Sequence, residues 1–446
     1  MRAADTIAAI ATAHGRAGIG VVRVSGPEVP ALMRAMLGVA LHPRRAELSD
    51  FLDATGAAID RGIALYFPAP HSYTGEHVLE LQGHGGAAIL RLLLARCFEL
   101  GARPAEPGEF TRRAFLNGKL DLAQAESVAD LIDASSVAAA RSAMRSLAGE
   151  FSARVNVLRD ALIDLRALVE ASLDFPDEEV DFLEKSRARE RVQRLREDTN
   201  ALYRTAMRGN LLREGARVVL LGRPNVGKSS LMNVLAGEEV AIVTEIAGTT
   251  RDALRRELVI EGVPIHIVDT AGLRATGDAV ERIGVERAWR EIGQADIALH
   301  VVDSLDADLD VEPEIISGIP RTAKKLRIIN KIDILGVTAC RTPCDDGEEV
   351  FVSAKTGEGI ELLRSALLDA VGWKETEETP FIARERHLAA LRASMAALER
   401  ASGCLAQQEL FAEELRQAQQ ALSAITGEVT ADDLLGEIFS RFCIGK

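Results

Sequence analysis

The run GRPNVGKS, Gly222 to Ser229, constrains this chain more than any other stretch. It fits the pattern G-x-x-x-x-G-K-S. It directly follows Arg217–Leu221 (RVVLL), which reads as a buried strand, and it opens a helical stretch, Ser230–Leu235. In that strand–turn–helix setting, a glycine-rich turn lets backbone N–H groups converge on phosphate oxygens. Lys228 supplies a point charge for the β- and γ-phosphates, and the Ser229 hydroxyl is placed for Mg²⁺. The strand and helix alternation that begins here ends near Gly372, so residues 214–372 are expected to form one α/β domain on a six-stranded, mostly parallel sheet.

Three further elements follow in the order a guanine nucleotide site requires. Asp269-Thr270-Ala271-Gly272 comes after the strand Ile265–Val268; its Asp suits an outer-sphere hold on Mg²⁺ and its Gly a γ-phosphate contact. Asn330-Lys331-Ile332-Asp333 follows the strand Leu326–Ile329. The Asp333 carboxylate accepts from guanine N1–H and from the exocyclic amine, whereas adenine would leave it facing an acceptor, so it selects guanine. Ser353-Ala354-Lys355, after Val350–Val352, supports the base from the other side. Between the phosphate turn and DTAG lies Thr244-Glu245-Ile246-Ala247-Gly248-Thr249-Thr250. A threonine hydroxyl there completes the Mg²⁺ shell when γ-phosphate is present, and spacing alone does not separate Thr249 from Thr250. Together with Asn225, Val226, Gly227, Lys228, Ser229 and Ser230, these residues form the expected GTP-binding set.

Many regulatory GTPases carry a glutamine after the DxxG glycine to orient water; here that residue is Leu273. Another source of charge and another water-orienting group are therefore needed. Asn225, with Thr244 and Ile246, resembles the arrangement in potassium-activated GTPases. The resemblance implies a K⁺ site formed by Asn225, Thr244, Ile246 and Thr249, a fixed cation that stabilises charge developing in the transition state. It also selects Thr250 as the Mg²⁺ threonine. Glu281, in DAVERIG, is the candidate for orienting water, with Lys228 and Asn225 as the other catalytic candidates.

Length and composition bound the rest. A chain of 446 residues calls for two to four domains. The net charge of −14 excludes a bulk basic field for nucleic acid, so an RNA partner needs a local patch or a partner protein. Five scattered cysteines fit a reducing cytosol better than a disulfide framework, and the lone pair Cys340 and Cys344 lacks the companions of a zinc site. The N-terminal stretch lacks the apolar core of a signal peptide, and there is no run of 18 apolar residues; a cytoplasmic protein with no membrane span is expected. Residues 1–118 look mixed α/β, with strands at Gly20–Ser25, Ile63–Phe67 and Val78–Gln82 and a helix over Ala87–Leu100. Residues 119–213 and 373–446 have helical spacing, as in Leu158, Leu162, Leu165 and Val169. Helical sequence on both sides of the α/β block predicts an insertion.

Beyond the nucleotide motifs, three stretches resemble the bacterial tRNA-modification GTPases that act with a flavin-dependent partner on the wobble uridine: DTIAAIATAHGRAGIGVVRVSG near the start, FTRRAFLNGKLDLAQAES at Phe110–Ser127, and FCIGK at 442–446. The likeness covers essentially the whole chain. It implies a Ras-like P-loop G domain inserted into a helical domain, preceded by an α+β tetrahydrofolate-binding domain that also dimerises the protein. The one-carbon source would be 5-formyl- or methylene-tetrahydrofolate, and the matching positions are Arg23, Glu80, Lys119 and Lys446. Cys443 matches a near-terminal cysteine that is either catalytic or a packing residue. The implied partners are the flavin-dependent protein, in a heterotetramer, a second copy of the chain, and tRNA. A ribosome-assembly GTPase is the alternative, and the N-terminal 118 residues and FCIGK discriminate against it. A folate-binding scaffold with a vestigial G domain is opposed by the intact Lys228, Ser229, Asp269 and Asp333.

Overall fold

The computed structural model describes residues 5–13, 15–174, 187–235, 255–269, 289–290, 292–305, 317–344, 347–374, 380–428, 432–440 and 442–445. The chain divides into two compact units. One comprises Met1–Ile132, Ser146–Thr199 and Ala390–Lys446; the other comprises Asp133–Arg145 and Asn200–Ala389.

The first unit opens with β1 (Ile7–Ile10), β2 (Ala17–Ser25), α1 (Val29–Leu37), β3 (Glu47–Leu52), β4 (Ala58–Phe67), β5 (Val78–Gly85), α2 (Ala87–Glu99), β6 (Arg103–Pro104) and α3 (Glu109–Leu116). The sheet order is β3-β4-β5-β2-β1-β6, antiparallel except for the short β1–β6 pair. Period-2 alternation decides which side chains meet. Val22, Val24, Phe51, Ala64, Leu79 and Leu81 are buried in one core with Leu32 and Met36 of α1 and Leu93 and Cys97 of α2. The intervening Arg23 and Glu80, in register across β2 and β5, are directed to the other face. Ile7 and Ala9 meet Phe110 of α3 in a smaller core.

A five-membered charge network closes this part of the unit. Arg113 of α3 reaches Asp5 (2.8 Å), Glu109 (2.9 Å) and Glu76 (3.0 Å), and Arg103 reaches Asp5 and Glu109, both at 2.5 Å. Hydrogen bonds from Arg103, and then from Arg113, hold the Asp5 carboxyl below its ordinary range. Burial pushes Glu109 up, but bonds from Arg103, the Glu106 N–H and Arg113 outweigh it and leave this carboxyl lowered too. A depressed folded pKa stabilises above the unfolded value and is lost as pH falls through the folded one. Unfolding midpoints in urea are therefore expected to fall as pH drops below about 4, and Arg113→Ala is expected to lower the neutral-pH midpoint and flatten that acid slope.

The further described helices are α4 (Leu122–Ile132), α5 (Val137–Leu147), α6 (Glu150–Asp174), α7 (Ala188–Glu214), α8 (Lys228–Leu235), α9 (Ile332–Leu335), α10 (Ile360–Ala370), α11 (Glu385–Gly403), α12 (Gln408–Thr426) and α13 (Asp432–Ser440). Within the first unit α6 packs along α12. Each contributes a buried stripe at helical spacing: Val155, Leu158, Leu162, Leu165 and Val169 on α6, and Phe411, Leu415, Ala418 and Leu422 on α12. Phe439 and Phe442 join Leu122 and Ala125 in a further cluster. None of the described helices is long and apolar enough to cross a membrane.

The second unit holds β7 (Ala216–Leu221), β8 (Arg255–Ile260), β9 (Val263–Asp269), β10 (Ile297–Asp303), β11 (Lys324–Asn330), β12 (Arg341–Cys344) and β13 (Gly347–Phe351), in the order β12-β13-β11-β10-β7-β9-β8. The five central strands are parallel, and the edge strands β8 and β12 are antiparallel to their neighbours. Val218, Val219, Leu220 and Leu221 are buried in succession, as a central parallel strand with both faces covered requires. The sheet thus has seven described strands where the sequence predicts six. The seventh, β12, is the four-residue segment RTPC, too short to show alternation and interrupted by Pro343, which an edge strand tolerates. Arg341 fixes it through both Glu348 oxygens, at 2.7 and 2.9 Å, and through Asp369 at 2.9 Å.

Candidate functional site

The site lies where the parallel strands end, at their C-terminal edge, the position at which open α/β sheets bind ligands. β7 runs into the phosphate turn. Gly222 has φ 134°, and a Cβ there would overlap the Val301 carbonyl oxygen; Gly227 has φ 98°, and a Cβ there would overlap the Asn330 amide nitrogen. Only glycine fits either place. Asn225 adopts φ 69°, the left-handed region that asparagine tolerates better than most residues, and is exposed at the turn's apex. Lys228 is buried, and its Nζ donates to the carbonyls of Gly222 (2.5 Å) and Arg223 (3.0 Å), so the ammonium is folded over the concave side of its own loop. That cradle of left-handed residues with an enclosed cation fits a phosphate chain. Ser229 and Ser230 follow on the first turn of α8.

Asn330 organises the base side. It is buried, its Nδ2 donates to the Val226 carbonyl at 2.8 Å, and its Oδ1 accepts the Ala354 N–H at 3.0 Å. One side chain thus joins the phosphate turn to the loop Ser353-Ala354-Lys355. The buried Ser353 donates from Oγ to Asp333 Oδ1 at 2.6 Å and accepts the Thr356 N–H, which aims the Asp333 carboxylate. Lys331 takes φ 67° ahead of α9, with its Nζ 2.6 Å from Asp303 Oδ2. Lys355 is exposed.

The structure therefore brings together Asn225, Val226, Gly227, Lys228, Ser229, Ser230, Asn330, Lys331, Asp333, Ser353, Ala354 and Lys355. Residues Thr244 to Thr250, Thr270, Ala271, Gly272, Glu281 and Lys446, and the Asp269 side chain, lie outside what is described. Sequence reasoning passed over Asp303 and Ser304. Nothing local marks their use: Asp303 ends the strand IALHVVD, and the β10–β11 register is what sets it beside Asn330.

Of the residues singled out for a folate, Arg23 and Glu80 meet, in the first unit. Arg23 pairs with Glu80 at 2.9 Å, lies 5.7 Å from the Phe110 ring centre and 5.9 Å from that of Tyr73, and is 3.5 Å from the Gly445 carbonyl. The Gly108 N–H donates to the carbonyl of Cys443 at 3.3 Å, and Ile444 forms a bridge with Pro107. Gly445, at φ 96°, packs so closely on Ile10 that a Cβ would overlap its carbonyl oxygen. The segment 442–445 is thereby held beside Arg23 by its backbone, and the Cys443 residue is exposed. Lys119 lies on the exposed turn after α3. This mixed set of a cation, a carboxylate, an aromatic ring and backbone carbonyls fits a flat polar heterocycle with an acidic tail.

A parallel sheet with a phosphate turn, a buried lysine and a carboxylate-bearing base loop at its C-terminal edge defines a P-loop GTP-binding protein. Residues 6–119 match the N-terminus of the GTP-binding protein TrmE, and residues 122–443 match the MnmE helical domain. The tRNA modification GTPase MnmE of Azoarcus sp. (strain BH72) is 60% identical over 446 residues, covering 100% of this chain and 99% of its own. That of Thiobacillus denitrificans (strain ATCC 25259 / T1) is 58% identical over 442 residues, covering 99% and 98%. Among solved structures, the FeoB G domain from Methanococcus jannaschii is 25% identical over 35% of this chain and 97% of its own, with a TM-score of 0.25, too low to add weight beside the full-length relatives. The chain belongs to the MnmE family of tRNA modification GTPases.

Proposed function

We propose that this protein is a potassium-activated GTP hydrolase that works with a flavin-dependent partner to add a carboxymethylaminomethyl or aminomethyl group to C5 of the tRNA wobble uridine. The nucleotide half of the reading is carried by one observation, the Asn330 side chain that holds the phosphate turn and the Ser353 loop around Asp333. The tRNA half rests on what the full-length relatives are named for.

Lys228 binds the β- and γ-phosphates and lowers the cost of charge moving onto the bridging oxygen. Asp333 holds guanine, and Glu281 orients the attacking water. Ser229 and Thr250 would hold Mg²⁺, which supplies charge neutralisation between the phosphates when bound. Asn225, Thr244, Ile246 and Thr249 would hold K⁺, which supplies a fixed positive charge in a site whose Leu273 cannot orient water. Two copies of the chain would pair through their G domains when GTP is bound and separate after hydrolysis, a two-state cycle relayed through the helices to partner and tRNA. Arg23, Glu80, Lys119 and Lys446 would hold tetrahydrofolate, the one-carbon donor. The four-segment organisation at 1–118, 119–213, 214–372 and 373–446, and the cytoplasmic setting, belong to the same reading.

The test is steady-state GTP hydrolysis in KCl against NaCl at equal ionic strength. A K⁺-specific rise of about tenfold or more, lost in Asn225→Ala, is expected from placing one fixed charge at the transition state. Equal, slow turnover in both salts would remove the potassium mechanism and favour a ribosome-assembly GTPase.

A further inference from the structure

Two residues that the nucleotide motifs do not include hold the base-recognition loop from behind. Asp303 ends β10, in register with Asn330, and Ser304 follows it. The Ser304 N–H donates to the Asn330 carbonyl at 2.9 Å, and its hydroxyl donates to the Lys331 carbonyl at 3.1 Å. One Asp303 oxygen accepts the Leu305 N–H at 3.1 Å, while the other is 2.6 Å from Lys331 Nζ. Two consecutive carbonyls and the one ammonium of the loop are therefore fixed by a single corner.

The loop needs such a hold. Lys331 has φ 67° and ψ 32°, which side-chain-bearing residues rarely adopt, and it caps a helix of only four residues that begins at Ile332 and carries Asp333. A helix that short does not keep its own direction, so the Lys331 turn sets where Asp333 starts. The Asp303 carboxyl lies below its ordinary range, chiefly through its bond to Lys331, with the Leu305 N–H adding to it, so it stays charged opposite the ammonium. Among the described residues, the side-chain polar contacts of Asp303 and Ser304 go to Lys331 and Leu305 alone.

We propose that Asp303 and Ser304 are positioning residues for guanine recognition, fixing the turn and the ammonium of Lys331 and through them the Asp333 carboxylate. This inference rests on the reading of the site as a guanine nucleotide site. Its consequence is specific: loosening the corner should cost most for the ligand that uses both bonds to Asp333. GDP offers N1–H and the exocyclic amine, whereas inosine diphosphate offers N1–H alone.

The experiment measures equilibrium binding of both nucleotides to the full chain and to Asp303→Ala, Asp303→Asn, Ser304→Ala and Ser304→Thr. The parent is expected to prefer GDP by about tenfold or more, the cost of one hydrogen bond left unmade. Asp303→Ala and Ser304→Ala are expected to weaken GDP about tenfold and inosine diphosphate much less, narrowing the ratio at least about threefold. Ser304→Thr, which keeps the hydroxyl, is expected to restore the parent ratio, and Asp303→Asn, which keeps an acceptor for Leu305 but not the charge, to fall between. Turnover at saturating GTP is expected to stay within about twofold of the parent in Ser304→Ala, since this corner acts on the base rather than the phosphates. Equal weakening of both nucleotides, which a general loss of structure would give, overturns the proposal, and so does unchanged binding of both. A parent that does not prefer GDP over inosine diphosphate removes the guanine reading itself and takes this inference with it.

Discussion

Asp333→Asn is expected to weaken GTP about a thousandfold and to turn the site toward xanthosine triphosphate. The carboxylate accepts two guanine donors, and an amide in its place sets an N–H against one of them, so a bond is lost and a donor is left facing a donor. A bond to a charged group is worth about 1.5–3 kcal/mol and an unpaired donor costs about 1–3 kcal/mol more, together on the order of a thousandfold. Xanthine carries an oxygen where guanine carries its amine, and the new amide donates to it. The structure makes the exchange a local one: Ser353 Oγ donates to Asp333 Oδ1 and can donate equally to an asparagine oxygen. Competition binding with GTP and xanthosine triphosphate reads the result. An unchanged GTP affinity would mean that Asp333 does not contact the base.

The second large effect is on stability and has the opposite sign from the usual rule. Replacing glycine by alanine inside a helix ordinarily stabilises by about 1 kcal/mol. Gly209 lies inside α7, where a Cβ would overlap the Phe381 carbonyl oxygen outright and reach within 3.3 Å of the Ala383 nitrogen. These are backbone atoms, which cannot swing aside as a side-chain end can. Gly209→Ala is therefore expected to destabilise the second unit by about 3 kcal/mol or more, the range of severe overpacking. Gly436 in α13 is the matched control: nothing lies within 4 Å of its added Cβ, and Gly436→Ala is expected to follow the ordinary rule. Thermal unfolding of both variants beside the parent tests the pair; equal behaviour would contradict the close approach of α7 to residue 381.

The elements legible in the sequence were those whose cause is local. RVVLL followed by a glycine-rich turn specifies a strand, a phosphate loop and a helix without reference to the rest of the chain, and three of the six N-terminal strands, β2, β4 and β5, were visible from alternation and flanking glycines, while β1, β3 and the two-residue β6 were not. The motif residues were placed for the same reason, since Lys228, Asp333 and Ser353 each follow a strand and Asn330 ends one, which delivers them to one edge. What escaped depends on partners far along the chain. β12 is a strand by its pairing with β13, and Arg341 ties it down through Glu348 and Asp369. The Asp5, Arg103, Glu109, Arg113 and Glu76 network joins residues from opposite ends of the N-terminal segment. Asp303 and Ser304 looked like the polar end of a strand, because their use lies in register with a loop nearly thirty residues later. The Arg23–Glu80 pair was visible as two charges in alternating strands but not as a pair, since the antiparallel register of β2 and β5 brings them face to face.

The β8–β9 hairpin lies between the two chain segments that carry Thr250 and Gly272. Its six residue pairs run from Arg255 and Val268 to Ile260 and Val263, a span of about 17–20 Å. At the turn, Gly262 presents its carbonyl to Ser136 Oγ at 2.7 Å, and the same hydroxyl accepts the Ala139 N–H at 3.1 Å, which caps α5. A β-ladder that slips by one residue turns every side chain to the wrong face, so the hairpin keeps its register. A single oxygen atom of Ser136 is thus shared between the turn of a hairpin and the start of a helix.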